Sequence, residues 1–406
     1  MRAHVTVALL AAAAVWVGEP LLPPLPQSVA ERAGVPLGSR WNPHRVSAAQ
    51  FQNAWTPFAK PVLTVASGAV VEVDAVRPST RGVTPSERAA SRRLARAAGR
   101  VGRAAHAGQH CGGPRRRGLC TCVARLRARQ VHPHVPCPSG LNPVHGPVFV
   151  AGAEVGDVLR VEVLRIAPAP FAWTAVFPGF GLLADAGELS VTGPALVKAT
   201  LPSWPFVRWL RFAGQVWVPL SPHVGSMGVA PPEARGPLST IPPDVHGGNL
   251  DTRHVTAGSV ALFPVHTPGA LFYLGDVHAG QGDGEVCGTA LEVAAKVAVR
   301  LRVLKRGTPE AAAVTEWQLR TPAWLPLHPG RDGARFVTTG FAPDLLTASR
   351  KAIRHMMDVL RAKRPGMTTE EAYMVCSLAA DLRVSQAVDM PHFSVAAHLP
   401  AGVLAD

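Results

Sequence analysis

Two short polar segments bounded by glycines carry residue types that can bind a cation and move a proton. The denser is GDVHAGQGDGE, Gly275–Glu285, which follows the apolar run Ala270–Leu274. If that strand continues, Asp276 and His278 lie at i and i+2 and face the same side. A carboxylate oxygen and an imidazole nitrogen on one face are a ligand pair suited to zinc. Two glycines flank Asp283, and the tight turn they permit would bring Glu285 back toward the same pocket. The second segment, PPDVHGGNLD, gathers His246, Asn249 and Asp251 around a Gly-Gly pair. Such a pair permits positive φ and a close approach of backbone to a ligand. Taken alone, either segment also reads as an ordinary turn whose Asn and Asp side chains cap their own backbone.

Other catalytic arrangements fit less well. HGG at 246–248 is compatible with an oxyanion loop, but no G-x-S-x-G nucleophile elbow accompanies it. No P-loop and no G-x-G-x-x-G dinucleotide loop is present. Cys287 follows the first segment and reads as a small buried hydrophobe rather than a nucleophile. His223, His266 and Glu233 each read as structural when taken singly.

The elements that must position these residues are mainly strands. Pro61–Asp74 reads as two short strands around a Ser-Gly turn. Gly146–Ile166 reads as strand, glycine-rich turn and strand, and residues 255–275 as another turn-separated pair. Leu291–Val303 alternates at its end: Val297, Val299, Leu301 and Val303 point one way, Arg300 and Arg302 the other. Two segments have helical spacing. Pro343–Arg364 carries Leu346, Ile353, Met356, Met357 and Leu360, and Thr368–Leu382 opens with a capping threonine. The expected architecture is mainly β with a small C-terminal α/β portion.

Composition agrees. The chain has 406 residues, 38 Gly and 39 Pro, which suits many short strands and turns. Six cysteines are too few for a disulfide-built scaffold. No stretch of 18 apolar residues occurs, so no membrane-spanning helix is expected. The net charge of +14 is concentrated: residues 81–130 hold 13 arginines and one acid, or +12, leaving +2 for the remainder. That Arg-rich insert reads as disordered. It has no aromatic residues between its arginines to stack bases, so a nucleic-acid partner is not expected. Residues 1–45 read as a targeting-like apolar run followed by a proline-rich lead-in. The expected location is the cytoplasm, with a cleaved N-terminal signal or transit segment as the other reading.

Taken together, the motifs resemble the acetamidase/formamidase family. The matching text is Asn142–Ile166, MGVAP at 227–231, HGGNLD at 246–251, Gly258–Val293 and, more weakly, Ala372–Asp389. The resemblance covers roughly residues 50–80 and 131–402, in one domain interrupted by the insert. It implies a mainly β fold with a β-sandwich plus a barrel-like part and the C-terminal α/β portion. It also implies a homo-oligomer that hydrolyses small aliphatic amides with the help of zinc or calcium. Carried onto this chain, its polar positions are His246, Asn249, Asp251, Asp276, His278, Asp283 and Glu285. Asp251, Asp276 and His278, with His246 as a further ligand, are assigned to the metal. Glu285 is assigned to proton transfer, Asn249 to the oxyanion, and Asp283 to the catalytic set. Upstream the pattern departs from the family, because the insert follows Asp74, which the resemblance sets against a family aspartate facing the site. A rival reading is a catalytically silent β-sandwich that binds a small ligand or metal.

Overall fold

The structure is a computed structural model. It describes residues 37–39, 42–76, 142–177, 180–183, 195–201, 208–212, 216–322 and 333–404. The Arg-rich insert and the N-terminal run lie outside the described residues.

The mainly β expectation holds. The main strands are β1 (Val70–Ala75), β2 (Val144–Val150), β3 (Val158–Val176), β4 (His223–Gly228), β5 (Gly247–Asn249) and β6 (Val260–Pro264). They continue with β7 (Phe272–His278), β8 (Glu292–Leu304), β9 (Gln318–Arg320), β10 (Arg335–Ala342), β11 (Asp381–Gln386) and β12 (Phe393–Pro400). One hydrogen-bonded sheet runs in the order β5-β4-β7-β8-β3-β6-β9-β10-β12-β11, with β1 on β8 and β2 on β7. This path has two ends, so among the described residues it forms no closed barrel.

The turn-separated strand pairs appear where alternation placed them. β3 is longer than its pattern suggested, because Pro168 and Pro170 interrupt the alternation while neighbours on both sides sustain the ladder. Its far half pairs Phe171–Val176 with Ala195–Thr200, and its near half pairs with β6 and β8. The large apolar core uses the inward side chains of these strands, including Val161, Val163, Val297, Val299 and Leu301. Trp317 is stacked between Phe263 on β6 and Phe341 on β10, with centroids 6.3 and 6.4 Å away.

Two helices cover the other face of the β10–β12 region. α1 (Leu345–Lys363) buries Ala348, Ala352, Met356, Val359 and Leu360. They pack with Ala342, Val395, Ala397 and Leu399 of the sheet. α2 (Thr369–Ala379) starts in a capping box: Thr368 Oγ1 accepts from the Glu371 N–H, and the Glu371 carboxylate accepts from the Thr368 N–H. The helix stops three residues before the expected end, because Leu382 belongs to β11. Thr368→Ala removes one of these two bonds and is expected to lower unfolding free energy by about 1 kcal/mol. Urea denaturation monitored by circular dichroism would check it.

β1 ends at Ala75 and β2 begins at Val144, and these two ends meet. The Val76 N–H donates to His145 Nε2 at 3.3 Å. Asp74, the last acid before the insert, pairs with Lys296 of β8 at 3.4 Å on the sheet surface.

Candidate active site

Three loops and strand ends converge at the edge of the sheet where β4, β5 and β7 pair. β7 brings Asp276 and His278, the turn after it brings Glu285, β8 opens with Glu292, and the end of β5 leads to Asp251. Asp389 arrives from the loop between β11 and β12. These five carboxyl groups and one imidazole are all buried. Their ligand atoms form three overlapping sets: Asp251, Asp276 and His278; His278, Glu285 and Glu292; and Asp251, Glu285 and Asp389. Within each set the atoms lie within 4.8 Å of one another.

The backbone is bent to achieve this. Among the described residues five non-glycine positions have positive φ, and three of them are Asp251 (40°), Asp276 (50°) and Glu285 (47°). Such conformations cost on the order of 1–3 kcal/mol each and persist where surrounding structure over-determines them. Gly225 of β4 makes room for the bend. A Cβ there would lie 2.7 Å from the Asp276 carbonyl oxygen, 2.7 Å from His278 Cε1 and 2.8 Å from Asp251 Oδ1. The Gly-Gly turn of the second segment also behaves as its residue types demand, with φ of 98° at Gly247 and 105° at Gly248.

A shell of neutral groups orients the acids. Asn249 Nδ2 donates to Asp251 Oδ2 at 2.7 Å and to Asp389 Oδ2 at 2.8 Å. Its Oδ1 accepts from Ser226 Oγ and from Asn142 Nδ2, which also donates to Asp276 Oδ2 at 3.2 Å. Both hydrogens of the Asn249 amide are therefore engaged by carboxylates, leaving none for an oxyanion. Gln281 Nε2 donates to the Asp251 carbonyl at 2.6 Å, which turns its Oε1 toward His278 Nδ1, 2.8 Å away. His278 therefore carries a proton on Nδ1 and turns Nε2 toward Asp276 Oδ1 (3.4 Å) and Glu292 Oε2 (3.5 Å). His223 Nε2 stands 3.3 Å from the same Nδ1, while His223 Nδ1 donates to the Ser221 carbonyl.

Crowding of like charges away from water sets the proton affinities. Burial pushes the Glu292 carboxyl up to about 8, with Asp276 adding to the rise and His278 opposing it. Burial takes Asp389 up to about 6. Asp251 and Glu285 are raised well above the usual carboxylate range, first by burial and then by neighbouring carboxylates. For His278 burial alone would favour the neutral ring, but Glu292 and Asp276 outweigh it and raise the group. Burial pushes His223 down to about 3, so it stays neutral.

A cation fits this set. Asp251 Oδ1, His278 Nε2 and Glu292 Oε2 are buried with no hydrogen-bond partner. Buried polar atoms rarely stay unsatisfied, and unpaired buried carboxylates are costly. Oxygen donors with one imidazole nitrogen form a ligand set for a divalent ion.

Two residues assigned to the site on sequence stand apart from it. His246 belongs to none of the three sets. Its ring packs edge-on to Trp55 at 5.1 Å, and burial pushes it down to about 3. Asp283 sits between two guanidiniums, accepting from Arg253 Nε and Arg383 Nη1 at 3.0 Å each, which hold its carboxyl below the usual range against burial. Glu292, Asp389, Gln281 and Asn142 were not singled out on sequence. Asn142 and Asp389 do fall at the start and the end of motif text that was.

The comparisons with known proteins bear on this arrangement. Residues 233–405 match the model of the acetamidase/formamidase family. A protein of Schizosaccharomyces pombe named as a formamidase is 28% identical over 322 residues, covering 64% of this chain and 76% of its own. An acetamidase of Mycolicibacterium smegmatis is 26% identical over 302 residues, covering 58% and 73%. The crystal structure of an acetamidase from Yersinia enterocolitica superposes with a TM-score of 0.66 at 25% identity, over 91% of this chain and 96% of that one. All six residues of the buried cluster lie inside the span that matches the family model, on a fold shared along nearly the whole of a solved acetamidase. The chain is thus similar to the acetamidase/formamidase family in sequence over residues 233–405 and to a solved acetamidase in fold.

Proposed function

We propose that this chain hydrolyses small aliphatic amides, such as formamide and acetamide, to a carboxylate and ammonia, at the cluster of Asp251, Asp276, His278, Glu285, Glu292 and Asp389. One observation carries the reading: five carboxyl groups and one imidazole are buried together within the span matching an amidase family. Asp251, Asp276 and His278 would hold a divalent ion. The imidazole among the ligands favours zinc over calcium, which prefers six to eight oxygens. When bound, such an ion lowers the pKa of water and polarises an amide carbonyl.

The chain's own residues do the rest. Gln281 fixes the His278 tautomer, and an orienting partner of this kind holds a ligating ring in place. Asn249 and Asn142 hold the carboxylates by their second oxygens, which makes them positioning residues. Glu285 would take the proton of the attacking water on a carboxylate oxygen. It would return that proton to the amide nitrogen as the C–N bond breaks and the new C–O bond forms. Its raised proton affinity suits both halves of that task, because it can hold the proton between the two steps.

Ammonia release from formamide and acetamide, with and without a chelator, tests the reading. The expected result is turnover that falls to background on chelation and returns with added zinc. Folded, zinc-loaded protein that releases no ammonia from either amide would overturn it in favour of a silent binding protein. Turnover indifferent to exhaustive chelation would remove the ion while leaving the amidase.

A further inference from the structure

Behind the acid cluster lies a second buried group of opposite character. The antiparallel register of β11 and β12 places Asp381 opposite His398 and Arg383 opposite Ala396, on one face. β10 adds Arg335 to that face, since Val337 pairs with His398. The helices cover the opposite face through Val395, Ala397 and Leu399, so this one is turned inward to the β body. There it meets His254, whose ring lies 4.6 Å from that of His398.

Both imidazoles are buried, and their nitrogens are poorly used. His398 Nδ1 and Nε2, His254 Nε2 and Arg383 Nε have no hydrogen-bond partner. A neutral imidazole always carries one N–H, and a guanidinium Nε–H cannot be lost. At least two buried donors, one on His398 and one on Arg383, therefore lack an acceptor. The charges do not balance either. Arg253 and Arg383 share the single carboxylate of Asp283. Burial first, and then the guanidiniums of Arg383, Arg335 and Arg253, keep the His398 ring neutral.

We infer that the protein binds one small monovalent anion, a halide or a formate-sized carboxylate, between His254, His398 and Arg383. An anion there supplies the acceptor that the donors lack and cancels the one surplus positive charge. It also has a structural task. His254 follows Asp251 by three residues, and Arg383 pairs with Asp283, two residues before Glu285. The anion would pin both acid-bearing loops to the β10–β12 sheet. This inference does not depend on the amidase reading, and its test does not use turnover.

Thermal unfolding at constant ionic strength would decide it, with sodium chloride, bromide or formate compared with sodium gluconate, whose anion is too large for the site. The expected result is a saturable rise in Tm of about 3 °C with at least one small anion. The rise should disappear in His398→Leu and in Arg383→Met, either of which serves if the other fails to fold. A rise with halides and not formate identifies a halide site, and the reverse a carboxylate site. Equal Tm in all four salts, or a rise undiminished in the folded variants, would overturn the inference and leave water as the occupant.

Discussion

Glu285→Gln is expected to reduce turnover of formamide by about 10²–10⁴-fold, the usual contribution of a positioned general base or acid. The amide keeps the volume and the hydrogen-bonding reach of the carboxylate but cannot accept the water's proton. The same change removes one of five crowded, buried carboxyl groups, so the metal-free protein should unfold at an equal or higher temperature than the parent. A loss of rate without a loss of stability separates a chemical role from a folding defect. Zinc content measured on the same sample divides the remaining cases. Retained zinc with lost turnover supports proton transfer, whereas lost zinc would make Glu285 a ligand. Undiminished turnover would refute the role altogether.

Gly225→Ala should be as damaging without touching any ionisable group. The added methyl would meet the Asp276 carbonyl, His278 Cε1 and Asp251 Oδ1 at 2.7–2.8 Å. None of these can yield cheaply, because one is backbone and the others belong to residues held by Asn249 and Gln281. Displacing reacting groups by about 1 Å can cost 10²-fold in rate, and overpacking typically costs about 1–3 kcal/mol in stability. Turnover and zinc content are both expected to fall. Gly282→Ala is the control: it lies in the same loop system, but a Cβ there meets nothing within 4 Å. A Gly225→Ala enzyme with parental activity would show that the cluster is looser than its packing implies.

Several features of this site were readable from residue types alone. Asp276 and His278 share a strand, and two glycines around Asp283 announce the turn that returns Glu285. The helices were equally plain, since Met356 and Leu360 recur at helical spacing and Thr368 is a strong cap. Other features depend on long-range pairing. Glu292 is a single acid opening an apolar strand, and nothing nearby marks it as different from Glu162. Asp389 reaches the cluster from over 100 residues beyond Asp276. His246 looks like a ligand because it adjoins Gly-Gly, yet its ring faces Trp55, a partner that only the folded sheet supplies. The positive φ values of Asp251, Asp276 and Glu285 were also hidden, since no local residue pattern marks which acid takes that uncommon conformation.

The contact between Val76 and His145 has a consequence for how such a chain can change in length. The sheet holds Val76 and His145 side by side, so any flexible chain joining them would pay only loop entropy for its closure. That cost grows with the logarithm of length, by only about 0.6 kcal/mol per doubling. At this neck the β body can therefore accept a long, strongly charged addition, or lose one, for a small fraction of its folding free energy. The tolerance ends at Asn142, whose amide is bonded to Asp276 and Asn249.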